Sequence, residues 1–202
     1  MNDQSQPATA ASLAEIAVIL DRSGSMQSIA SDAIGGFNVF VEAQAQVPGE
    51  ARLSLVLFDD QYEVPFKSIP PVEMPPLTSA TYIPRGSTAL LDAIGRTVKK
   101  MTTSFAARPV EKRPGKVIIA ILTDGQENAS TKYTQAHIAD LIAEKRAQGW
   151  EFLFLAANQD AIATAARYNI AREDAASYTA TPAGTNAVFH EMSARVSRKR
   201  GK

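Results

Sequence analysis

Residues 15 to 26 read Glu-Ile-Ala-Val-Ile-Leu-Asp-Arg-Ser-Gly-Ser-Met, and this stretch decides the fold. Its first half is apolar and partly β-branched with no polar alternation, the pattern of a strand buried on both faces. The strand ends abruptly in oxygen-bearing side chains. Asp21, Ser23 and Ser25 occupy every second position, so a loop kept extended by Gly24 aims three oxygens toward one point. Hard oxygen donors that converge suit a hard cation, Mg²⁺ first. Taken alone the segment reads better as a helix cap and turn than as a metal loop, because Asp and Ser favour both.

Two later segments change that balance. Residues 84 to 91 read Pro-Arg-Gly-Ser-Thr-Ala-Leu-Leu, and residues 117 to 125 read Val-Ile-Ile-Ala-Ile-Leu-Thr-Asp-Gly, a second buried strand ending in an acid and a glycine. The combination resembles the von Willebrand factor A domain. The metal-ion-dependent adhesion site of that family uses Asp-x-Ser-x-Ser, a threonine from a second loop and an aspartate after a later strand. The matching positions here are Asp21, Ser23, Ser25, Thr88 and Asp124. The resemblance spans roughly residues 13 to 180 and implies Ser23, Ser25 and Thr88 as direct metal ligands. Asp21 and Asp124 are then expected to act through water or through hydrogen bonds to the hydroxyls. Mg²⁺ is the expected ion, with Mn²⁺ and Ca²⁺ as alternatives.

The periodicities fit one α/β domain. Ile29, Ala33, Phe37 and Phe40 draw an apolar stripe along a helix that ends near Pro48-Gly49. Within it, Gly35 and Gly36 are expected to allow close packing on the sheet. Leu53 to Phe58 is read as a strand, and Asp59-Asp60 turns it into Tyr62 to Phe66, an antiparallel edge on which Pro65 is tolerated. Residues 67 to 85 hold five prolines and read as an irregular connection across the domain. Thr88 opens a helix carrying Leu91, Ile94, Val98 and Met101 inward, and Lys116 to Leu122 is the next buried strand.

Tyr133 to Gln148 reads as a helix facing inward through Ile138, Leu141 and Ile142. Glu151 to Ala156 is a further strand, and Asn158 is expected to cap a helix with Ile162, Ala165 and Ala166 inside. A short strand at Ser177 to Thr179 precedes a last helix, capped by Thr181, opened by Pro182, and lined by Val188, Met192 and Val196. Such alternation predicts a Rossmann-like, doubly wound, mostly parallel sheet with one antiparallel edge strand and helices on both faces. Ligands of these sheets sit at the carboxyl ends of the strands, where strand order reverses. The expected organisation is a mobile tail over 1–12, one domain over 13–198 and a basic end over 199–202.

Composition narrows the function. The chain has 202 residues, 21 Lys plus Arg against 21 Asp plus Glu, and no Cys. Balanced charge gives no global field for nucleic acid or an anionic membrane, and no segment approaches the ~18 apolar residues of a membrane span. Without Cys there are no disulfides or thiolate chemistry, and a cytoplasmic location is the expectation. The sequence carries no signal for an oligomeric state.

Competing site readings are weaker. An EF-hand would place glycine at its sixth loop position, whereas Gly24 is fourth, and the closing acid Asp32 lacks the usual Asp or Asn partners. His137 and His190 stand apart, which argues against zinc. Asp59-Asp60 reads as a turn before an auxiliary cation site, and Glu127 and Asn128 as caps. Arg22 and Arg85 either steer an acidic partner or point to solvent.

Hydroxyl ligands leave a cation's charge poorly compensated, so an open position attracts an anionic oxygen, most simply an Asp or Glu carboxylate of a partner protein. The expected function is therefore a metal-dependent protein-binding module, not an enzyme. A Mg²⁺-dependent phosphoester hydrolase is the rival, but no P-loop, Gly-x-Ser-x-Gly or second carboxylate cluster supports it. A scaffold with a vestigial metal site is the third reading.

Overall fold

The computed structural model describes residues 13–157 and 160–201. The expected tail over 1–12 and the Asn158 cap lie outside the described residues. Six strands form one sheet in the order β3-β2-β1-β4-β5-β6. They are β1 (Ala14–Asp21), β2 (Ala51–Phe58), β3 (Tyr62–Ile69), β4 (Lys116–Thr123), β5 (Trp150–Ala157) and β6 (Ala175–Tyr178). Only β3 runs antiparallel to its neighbour among the described strands, as expected for the second arm of a hairpin at an edge. β6 begins earlier than expected, at Ala175 instead of Ser177.

Every residue of β1 is buried, because the strand is central and covered twice. Ile16, Val18 and Leu20 face one layer, formed by α1 (Ala30–Gln46) and α5 (Pro182–Arg200). Ala17 and Ile19 face the other, formed by α2 (Leu90–Ala106), α3 (Gln135–Ala147) and α4 (Ala161–Arg167). The predicted stripe of α1 is buried, and Phe37 and Phe40 are fully enclosed, each contributing about 2–3 kcal/mol of apolar burial. Gly36 serves close approach to α5 instead of to the sheet. A Cβ there would lie 2.1 Å from the Phe189 ring, whereas one at Gly35 meets nothing within 4 Å.

Other departures have local causes. β3 extends to Ile69 through a register shift: Ser68 takes φ 51°, its N–H donates to Ser54 Oγ, and pairing resumes at Leu53 with Ile69. The proline-rich connection then crosses the α1 layer, where Leu77 exchanges backbone hydrogen bonds with the Asn38 side chain. On α4, Ile162 and Ala165 pack inward as expected, joined by Ala161, while Ala166 is exposed; Asp160 caps the helix by accepting from Ala163 N–H. Thr181 and Pro182 open α5 as read.

Lys199 and Arg200, expected in a separate basic end, belong to the last turn of α5. Lys199 pairs with Glu151 and Asp174, and Arg200 donates to the carbonyls of Gln44 in the last turn of α1 and of Val47 and Gly49 just past it. Among the described residues no helix is long and apolar enough to cross a membrane.

Candidate metal centre

The point where strand order reverses lies between β1 and β4, and both strands end there in an acid. Asp21 is the last residue of β1 and fully buried. Its Oδ1 accepts from Ser23 N–H at 2.7 Å and its Oδ2 from Thr123 Oγ1 at 2.5 Å. The first bond folds the chain back on itself, and the second ties the loop to β4. Tyr82 closes the site from beneath, its hydroxyl donating to Asp21 O at 2.6 Å.

Beyond Asp21 the loop is pinned by backbone bonds from Arg22 N–H to Phe58 O and from Gly24 N–H to Gly86 O. Met26, fully buried, anchors the short 3₁₀ turn that follows. Ser23 Oγ and Ser25 Oγ then stand 3.0 Å apart, and Ser25 Oγ donates to Asp124 Oδ1 at 2.6 Å. Ser23 and Asp124 are buried and Ser25 is exposed, so the cluster opens to solvent on the Ser25 side.

Thr88 lies two residues ahead of α2 and does not cap it. The loop after β4 holds it instead. Thr88 N–H donates to Asn128 Oδ1, and Thr88 O accepts from the N–H groups of Asn128 and Ala129. Glu127 accepts from the N–H groups of Leu91, Ala129 and Ser130, and the Asp92 carboxylate accepts from those of Thr131, Lys132 and Tyr133. Glu127 and Asn128 are thus loop builders, in line with their reading as caps.

The structure brings all five sequence-derived residues together. A Cβ added to Gly125 would lie 2.9 Å from Thr88 Oγ1, 3.4 Å from Ser25 Oγ and 3.6 Å from Ser23 Oγ. Three hydroxyls from loops far apart in sequence therefore surround one small volume, kept open by a glycine. Behind them stand two carboxylates. Burial pushes the Asp21 carboxyl up to about 6 against the hydrogen bonds from Thr123 and Ser23, and burial also raises Asp124 against the bond from Ser25. A divalent cation beside them acts in the opposite direction and favours the ionised forms.

The donor chemistry fits such an ion: hydroxyl and carboxylate oxygens are hard ligands of Mg²⁺ and Mn²⁺. Among the described residues no group of three or more His, Cys, Asp or Glu side chains is placed to hold a metal. The carboxylates bonded within the cluster are those of Asp21 and Asp124.

Arg22 neither steers nor points to solvent. It is 3% exposed, with Nε 2.9 Å from Asp59 Oδ2 and Nη2 2.7 Å from Glu63 Oε1. Arg85, 45% exposed, shares both acids at 3.0 and 2.9 Å. Two cations are thus matched by two anions within this cluster. Asp59 is the hub: it is fully buried, and its Oδ1 also accepts from Gln61 N–H to make the expected turn. Thr123 and Tyr82 escaped the sequence reading. Thr123 carried a signal, its place directly before Asp124, whereas Tyr82 sits in a proline-rich stretch without periodicity.

Sheet order, helix layers and hydroxyl cluster at the switch point define a von Willebrand factor A fold. Solved structures of that fold align over nearly the whole chain. A von Willebrand factor type A protein from Catenulispora acidiphila matches at 16% identity and TM-score 0.59, covering 91% of this chain and 42% of that one. The mussel byssus proximal thread matrix protein 1, in a form with a zinc-occupied metal-ion-dependent adhesion site motif, matches at 15% identity and TM-score 0.59, covering 95% and 47%. The von Willebrand factor domain of the type V pili tip protein Mfa5 from Porphyromonas gingivalis matches at 14% identity and TM-score 0.60, covering 94% and 96%. This chain thus spans about half the length of the first two. No protein-family model matches the sequence, and no curated protein does.

Proposed function

We propose that this chain is a metal-dependent protein-binding module in which Ser23, Ser25 and Thr88 hold Mg²⁺ and a partner protein supplies an Asp or Glu carboxylate. The observation that carries the reading is the convergence of those three hydroxyls on one volume beside Gly125. Bound there, the cation supplies an electrophilic docking point for an anionic oxygen. Asp124 orients Ser25, and Asp21 orients Ser23 through its backbone while tying Thr123 to β1. With the arginines neutralised by Asp59 and Glu63, attraction for an acidic side chain rests on the ion. The zinc-occupied motif of the mussel protein supports a divalent ion on this fold. A cytoplasmic site of action belongs to the same reading, compatible with the cysteine-free sequence.

The test is affinity capture from lysate of the source organism, with wild-type and Asp124→Ala baits, each with Mg²⁺ and with chelator. A protein retained only by wild type with Mg²⁺ supports metal-bridged docking. The same proteins in all lanes would sink it and favour a scaffold.

A further inference from the structure

On the face covered by α2, away from the hydroxyl cluster, a groove of about 660 Å³ runs between that helix and strands β2 and β3. Its origin is in the strand sequences. Ala17 pairs with Ser54 on this face, whereas the next pair toward the site is Ile19 with Val56. Two small side chains leave the space under α2 unfilled, and Val56, Val64, Met101 and Phe105 give it an apolar lining. Protein interiors are otherwise close-packed, and an apolar space of this size falls within the ~300–1,000 Å³ range of small-molecule sites.

The charged residues around the groove are unbalanced. Glu15 is its only acid, and that carboxylate is taken by Arg108 Nη1 at 2.8 Å and by Ser68 Oγ at 3.0 Å. Lys67, Lys99 and Lys100 also line it, and none has an ion-pair partner among the described residues. At one end Lys100 Nζ lies 4.6 Å from the centroid of the lining Tyr62 ring. From Thr97 to Phe105 the helix advances about 12 Å, room for an extended chain.

We propose that this groove binds a fatty acid, a single-chain amphipathic carboxylate. Its head sits between Lys99 and Lys100, and its acyl chain runs along Val64 and Met101 toward Phe105. An apolar slot alone would accept any hydrocarbon, and the unpaired lysines select an anion. Residues 1–12 are poorly suited to fill it, since their apolar side chains are Met1, Pro7 and three alanines. The site shares no residue with the hydroxyl cluster and stands whether or not a metal binds there.

The experiment is a titration of the full chain with laurate and with uncharged methyl laurate, followed by calorimetry and by fluorescence of Trp150. That residue is the only tryptophan, and its ring centroid lies 5.8 Å from that of Phe105, which lines the groove. The expected result is one saturable laurate site, unaffected by chelator or by Asp124→Ala. Methyl laurate, or a Lys99→Glu/Lys100→Glu double variant, weakens binding by about tenfold or more. Val64→Phe, which fills the groove from the edge strand, abolishes it, and Met101→Trp does the same if Val64→Phe fails to fold by circular dichroism. Absence of saturable binding to wild type overturns the proposal. So does equal affinity for laurate and its ester, which removes the anion site. Laurate binding that appears only after deletion of residues 2–12 overturns it too, by making that segment the occupant.

Discussion

Ser25 Oγ donates to Asp124 Oδ1 at 2.6 Å, a bond between residues 99 apart in sequence that joins the loop after β1 to the loop after β4. It spans the one place in the sheet where the strand order turns back. If Asp124 orients Ser25 for a cation, Asp124→Ala weakens Mg²⁺ or Mn²⁺ binding by about 10- to 100-fold. Titration calorimetry reads this directly, and unchanged affinity would remove Asp124 from the site.

Gly125 offers a sharper probe of the cavity. A methyl group there reaches within 2.9 Å of Thr88 Oγ1, and the backbone φ is not of the kind reserved for glycine. Gly125→Ala should therefore cost little in urea unfolding, about 1–2 kcal/mol, while metal affinity falls at least tenfold. Tight metal binding by this variant would mean that the ion, if any, sits elsewhere.

The pH dependence has opposite signs with and without metal. Burial raises the Asp21 carboxyl to about 6 from the ordinary 3.8. A group raised in this way contributes stability that is complete below its unfolded value and lost as pH rises through about 6. Metal binding needs the carboxylate, so affinity increases with pH over the same interval, by up to about 1.4 kcal/mol per pH unit. The rise in melting temperature on adding Mg²⁺ is expected to be larger at pH ~7.5 than at pH ~5. Equal increments at both values would count against Asp21 as the coupled group.

Asp59 holds Arg22 and Arg85 from complete burial. Asp59→Ala leaves the Arg22 guanidinium enclosed with Glu63 as its remaining acid, and breaking a buried pair in this way costs about 3–5 kcal/mol. Glu63→Ala, at a half-exposed position, costs about 1 kcal/mol or less. Chemical denaturation of the two variants tests the order.

Helix packing supplies an independent check. A Cβ at position 36 would lie 2.1 Å from Phe189, so Gly36→Ala pushes α5 away from α1 at a cost of about 1–3 kcal/mol. An alanine variant as stable as wild type would show that the two helices part without loss.

What the sequence revealed follows from how far each signal reaches. Strands such as β1 and β4 announce themselves because burial on both faces leaves an unbroken apolar run. Asp21, Ser23, Ser25, Thr88 and Asp124 were legible through their resemblance to a known pattern, and their meeting followed from topology. Arg22 was not legible. Its fate depends on Asp59 and Glu63, which reach it only because the β2–β3 hairpin lies beside β1. Tyr82 is likewise silent in sequence, since a connection without periodicity gives no face to read. Ala166 is exposed while its neighbour Ala165 is buried, and in a helix this short and alanine-rich the sequence gives little apolar contrast by which to tell adjacent faces apart. The extension of β3 depended on Ser68 adopting a backbone conformation unusual for serine.

Two of the three loops around the hydroxyls form one piece. The Thr88 segment and the loop after β4 are stitched together through Asn128, Glu127, Ser130 and Asp92. By contrast, Gly24, Ser25, Gln27 and Ser28 are exposed in the turn that follows β1. That turn is held from fewer directions than the Thr88 segment and the loop after β4, which brace each other. What keeps the turn between Asp21 and α1 in place is a few bonds, Gly24 N–H to Gly86 O and Ser25 Oγ to Asp124, together with the buried Met26 side chain, so the shape of the hydroxyl cluster hangs on contacts made by a segment otherwise open to water.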